Sequence, residues 1–71
     1  MSRDRGAEDA AKIYVLVVNG KTLPGGPRTR QEAGRVAQSH GERGHEVVTK
    51  KLRPGKAPLV VGRWRNGERI T

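Results

Sequence analysis

The sequence predicts a small single α+β domain in which one helix packs on one face of an antiparallel sheet of three or four strands, in the order β-α-β-β. Three observations carry that expectation. Ile13 to Val18 is an unbroken apolar run rich in β-branched residues. A capping-box sequence at Thr29 opens a helical apolar stripe. Two β-rich segments follow, each closed by a turn dipeptide. A chain of 71 residues is one domain at most, and folding at this size removes only about 60% of the unfolded chain's surface from water.

Residues 1–11 mix both charges with Gly and Ala and show no period, so a flexible N-terminal arm is expected there, with the domain over 12–71. The first strand is Ile13 to Val18, and Asn19-Gly20 after it suits the two positive-φ positions of a tight hairpin turn. Lys21 to Leu23 pairs back as a stub. Pro24-Gly25-Gly26-Pro27 then ends the ladder, because proline donates no hydrogen bond.

Thr29 with Glu32 three residues later predicts a helix N-terminus capped in both directions. Ala33, Val36, Ala37 and His40 recur at the spacing of one buried helical face, and Gly41 or Gly44 supplies the stop. Gly34 costs about 1 kcal/mol relative to Ala within a helix, which suggests close approach to the sheet. His45 to Leu52 and Leu59 to Arg65 read as neighbouring strands joined at Arg53-Pro54-Gly55. A second Asn-Gly, at residues 66–67, turns the chain into a last stub, Glu68 to Thr71.

Charge gives the strongest functional indication. Fifteen Lys and Arg oppose seven Asp and Glu, a formal +8, and +6 of it falls on residues 43–71 while residues 1–12 sum to zero. A concentrated surplus of this kind is the electrostatic footprint of a nucleic-acid binder. Arg outnumbers Lys ten to five, and the planar guanidinium pairs with phosphate through two bonds where ammonium acts as a point charge. One helix covers one sheet face. If Val48, Leu52, Val60 and Trp64 meet it, strand alternation puts Lys51, Arg53, Arg63 and Arg65 on the open face. Arg63-Trp64-Arg65, with Arg69 across the turn, reads as two phosphate-holding guanidiniums around a ring able to stack on a base, and Lys50 adds to the same basic segment. The competing reading makes Trp64 the main aromatic of a core that contains no Phe. Arg28 and Arg30, beside the expected helix start, form a secondary candidate anion site.

Other chemistry is sparse. The chain has no Cys, which removes disulfides and thiolate metal sites and suits a reducing, cytoplasmic setting. His40 and His45 lack the further Cys or His ligands that would complete a zinc shell, so no metal, cofactor or small-molecule substrate is expected. Gly20-Lys21-Thr22 lacks the upstream glycine of a phosphate-binding loop, and Ser39 beside His40 points about 100° away from it on a helix. The longest apolar run, six residues, is too short to span a bilayer. No enzyme is expected.

The leading expectation is therefore a non-catalytic, regulatory or accessory binder of nucleic acid, DNA somewhat ahead of RNA. The alternative is a protein-interaction module, such as a small inhibitor or adaptor from a phage or mobile element, meeting an acidic partner. Strand one is apolar on both sides, so it is expected at a sheet edge or at a homodimer seam through Ile13–Val18.

Overall fold

The computed structural model describes residues 10–70, so residues 1–9 of the expected arm, and Thr71 of the last stub, lie outside the described residues. Among the described residues five strands and the helix over 30–42 follow one another. They are β1 (Tyr14–Val18), β2 (Lys21–Thr22), α1 (Arg30–Glu42), β3 (Val47–Arg53), β4 (Lys56–Arg65) and β5 (Glu68–Arg69). The fold class is the α+β expected: all strand pairings are antiparallel, the sheet order is β2-β1-β3-β4-β5, and α1 packs on one face. The count rises to five because both stubs after the Asn-Gly turns are strands.

Those turns form as their sequence demands. Asn19 and Asn66 adopt φ of 51° and 54°, and Gly20 and Gly67 follow at 82° and 81°, the paired left-handed values of a two-residue hairpin turn whose twist matches the strands. Asn19 also anchors the start of β3, since its N–H donates to the Glu46 carbonyl (2.8 Å) while its Oδ1 accepts from the Glu46 N–H (3.0 Å).

Strand β1 does not lie at the sheet edge, which corrects the sequence expectation. One side pairs with β3 along its whole length, from Tyr14↔Lys51 to Val18↔Val47. The other is taken by β2, by Leu23 N–H donating to the Leu16 carbonyl (2.9 Å), and by Arg28, whose backbone exchanges bonds with Tyr14 at 3.0 and 2.7 Å. The loop 24–27 merely bulges out before the chain rejoins β1. Because the backbone of β1 is already paired, edge-to-edge dimerisation through Ile13–Val18 has no free ladder to use.

The helix begins as expected and ends more elaborately. Thr29 Oγ1 accepts from Glu32 N–H (3.2 Å), and Glu32 Oε1 accepts from Thr29 N–H (3.3 Å) and from the Thr29 hydroxyl (3.1 Å). At the other end Gly44, at φ 87°, donates to Gly41 O (2.9 Å), and His45 N–H donates to His40 O (3.2 Å). This is the double-bonded left-handed cap that satisfies the last helical carbonyls. Gly44 is thus the stop, and Gly41 stays inside the helix.

The core lies between α1 and the sheet: Leu16 and Val47 are fully buried, with Tyr14, Val18, Ala33 and Ala37 around them and Ile13, Leu23, Val36, Val61 and Trp64 packed against that cluster. Small residues on the helix let it approach closely. Among the described residues no helix is long and apolar enough to cross a membrane.

Candidate nucleic-acid interface

The phase of β3 decides which cations share a face. Val47 is fully buried and Thr49 nearly so, whereas Val48 and Lys50 are half-buried; the helix side of β3 is therefore Val47, Thr49 and Lys51, paired across to Val18, Leu16 and Tyr14. This reverses the expected assignment. Val48 lies opposite Val17 and Arg63, and Lys50 opposite Val15 and Val60, so these six side chains form two rows across the helix-free face.

Strand β4 does not keep a two-residue alternation either. Thr49 pairs with Gly62 but Lys50 pairs with Val60, leaving Val61 as an extra residue, and a second register shift lies between Lys51 and Arg53. Each shift moves the following side chains to the other face. Hence Val61 and Leu59 line the helix side together with Gly62 and Trp64. Of the expected helix-facing set Val48, Leu52, Val60 and Trp64, only Trp64 packs on the core.

The Arg63-Trp64-Arg65 motif is consequently split between two faces. The Trp64 ring lies against Gly41 of α1, while Arg63 and Arg65 are exposed on the other side of the strand. Arg65 Nη2 stands 3.3 Å from Glu46 Oε2, both side chains more than half exposed, an arrangement worth little stability in water. Arg69 pairs with Trp64 in register, as Glu68 does with Arg65. Lys51 and Arg69 line an open groove of about 600 Å³ between the helix and the sheet, with Tyr14, Leu59, Val61 and Trp64. Sequence reasoning missed this groove. Its signal was available in the small residues Ala33, Gly34 and Ala37, too slight to fill the space over β4.

Arg53 is committed locally. Its Nε and Nη2 both donate to the Ala57 carbonyl, at 3.1 and 2.8 Å, across the Pro54-Gly55 turn. Arg28 is folded onto its own loop, with Nη2 donating to Pro24 O (3.1 Å) and Nη1 buried. The helix N-terminus beside it already holds a carboxylate: the hydrogen bonds from the Thr29 backbone and then the Thr29 hydroxyl keep Glu32 below its ordinary pKa. An incoming anion at the Arg28 and Arg30 end of α1 would meet that charge first.

His40 and His45 stand with their Nδ1 atoms 3.3 Å apart and their rings 5.5 Å apart. One ring donates to the other, and among the described residues no third His, Cys, Asp or Glu joins them in a metal-binding group.

The arrangement offers a sheet face with an aliphatic centre, Val15, Val17, Val48 and Val60, into which Lys50 projects, bordered by Arg63 and Arg65. Beyond it extends a cationic hairpin end. Comparison with protein-family models, with curated proteins and with solved structures finds no match for this chain.

Proposed function

We propose that this protein is a non-catalytic, cytoplasmic, regulatory or accessory binder of nucleic acid, duplex DNA before RNA, that meets the phosphate backbone with the helix-free sheet face and the β3–β4 hairpin. The observation that carries the reading is one of charge and position together. From Val47 to Asn66 the chain has six Lys and Arg and no Asp or Glu, and this stretch is the two longest strands of the sheet. Lys50, Arg63 and Arg65 stand on the face that α1 leaves uncovered, with Lys56 at the hairpin end. Contacts of this kind hold the phosphates without reading bases.

The test is a fluorescence-anisotropy titration of a labelled duplex with increasing salt. Neutralising four to six phosphates gives a slope of log K against log salt of about −4 to −5. Absence of binding at about 50 mM salt, where phosphate contacts are strongest, overturns the reading.

One observation favours a second reading, an interaction module for an acidic protein. The centre of the open face is aliphatic, and valines contribute nothing to phosphate contacts but suit the desolvated middle of a protein interface with a polar rim. Purified protein free of nucleic acid by its 260/280 absorbance ratio, and eluting as a stable complex with an acidic protein, would favour it.

A further inference from the structure

The β3–β4 hairpin outruns the rest of the sheet. The β1–β3 ladder ends at Tyr14↔Lys51, with one further bond from Leu52 N–H to the Ile13 carbonyl (2.7 Å). From there to the turn, β3 and β4 continue as a two-stranded ribbon closed by Arg53↔Lys56 around Pro54-Gly55, with Gly55 at φ 68°. Every residue from Pro54 to Leu59 is exposed. Strand β5 pairs with β4 at Trp64 and Arg65, so among the described residues the outer edge near the tip has no neighbouring strand; Pro58, which lacks an N–H, sits there.

Resting on the nucleic-acid reading above, we propose that this ribbon enters the major groove of duplex DNA. Three features agree. The first is charge: Arg53 and Lys56 lie on the ribbon and Lys50 at its base on the open face, in a stretch from Val47 to Asn66 whose sequence has no Asp or Glu. Width is the second. Two strands about 4.8 Å apart, with their side chains, fit a groove about 12 Å across but not one of about 6 Å. The third is reach combined with stiffness. Leu52 to the turn at Pro54 is about 7 Å at 3.3 Å per strand residue, and the exposed Lys56 side chain reaches beyond it, which together match the major-groove depth of about 8.5 Å. The Arg53 guanidinium locks the tip through its two bonds to the Ala57 carbonyl, so little ordering remains to be done on binding. With Arg53 so engaged, the side chains offered to base edges are Lys56, Ala57 and Pro58. The ribbon therefore positions the protein in the groove with weak sequence preference.

The experiment uses the full chain and three duplexes of one sequence: unmodified, carrying glucosylated 5-hydroxymethylcytosine that fills the major groove, and unmodified with netropsin in the minor groove. Glucosylation is expected to weaken binding at least about tenfold, and netropsin to change it by less than about twofold. Lys56→Glu, on an exposed site, is expected to weaken binding to the unmodified duplex about tenfold with its circular dichroism unchanged. Indifference to glucosylation, displacement by netropsin, or full binding by Lys56→Glu overturns the groove assignment while the nucleic-acid reading stands. Failure to bind the unmodified duplex at low salt overturns both.

Discussion

Gly41, in the last turn of α1, lies flat against the indole of Trp64 on β4. An alanine methyl there would overlap ring atoms Cδ2 and Cε3 and stand 2.6 Å from Cγ. The absence of a side chain at Gly41 is thus what lets the helix C-terminus settle on the sheet. Gly34, the other interior helix glycine, has nothing within 4 Å of where a Cβ would stand.

The two glycines should respond oppositely to the same change. Gly41→Ala is expected to destabilise the domain by about 1–3 kcal/mol through overpacking, and Trp64→Leu in the same chain to restore part of that loss. Gly34→Ala is expected to stabilise by up to about 1 kcal/mol, from helix propensity alone. Thermal melts followed by circular dichroism decide it. Equal melting temperatures for Gly41→Ala and the parent would show that the ring can move aside.

The capping box makes a pH-dependent contribution. Glu32 has a depressed pKa in the folded protein, chiefly because the Thr29 backbone N–H donates to its carboxylate. The folded state holds this proton less tightly than the unfolded one. The contribution is therefore complete above the ordinary value of 4.5 and is lost as pH falls through the depressed folded value. Glu32→Gln keeps an acceptor and removes the charge, so it should melt below the parent at pH 7 and converge with it in acid. A gap that persists undiminished at pH 2 would assign it to something other than the carboxylate. Thr29→Ala is expected to cost about 1 kcal/mol at neutral pH.

Local chemistry was legible in the sequence wherever a few adjacent residues decide the outcome. Both Asn-Gly turns, the Thr29–Glu32 cap and the Pro54-Gly55 reversal depend on backbone angles and hydrogen bonds within four residues, and each formed where its residues demanded. The phase of β3 was not legible. Val47 and Val48 are chemically identical neighbours, and only packing against Leu16, Ala33 and Ala37 selects Val47 for the core. The β4 register shifts were likewise hidden, since Val60-Val61 shows no local mark of an extra residue. The phase of β3 moved Lys51 to the groove and Lys50 to the open face; the β4 shifts brought Val61 and Leu59 to the helix side and Val60 to the open face. Nor did any local signal show that Arg28 would return to pair with β1 and remove its edge.

The corrected face predicts which cations count toward nucleic-acid binding. Lys50→Ala and Arg63→Ala are each expected to reduce the salt slope by about one unit and to weaken binding similarly on all sequences, as lost phosphate contacts do. Arg35→Ala, on an exposed part of α1, is expected to leave the slope unchanged. Anisotropy titrations at four or more salt concentrations measure this. An unchanged slope for both Lys50→Ala and Arg63→Ala would remove the open face from the interface.

Adjacent residues of β1 should differ sharply because they face opposite ways. Leu16 is wholly enclosed between α1 and the sheet, so Leu16→Ala removes packed volume that the small helix residues opposite cannot refill, at a cost of about 2–5 kcal/mol. A domain of this size holds only about 3–5 kcal/mol in total, and the variant should be largely unfolded at 25 °C. Val17 lies on the helix-free face beside Val48 and Thr22 and is half-buried. Val17→Thr keeps the β-branched shape with its hydroxyl in reach of water, so it should cost less than about 1 kcal/mol. Urea titrations of the two variants measure the contrast. A severe loss for Val17→Thr, made worse by dilution, would mean that this face is covered by a second copy of the chain, because only an associated state loses stability as concentration falls.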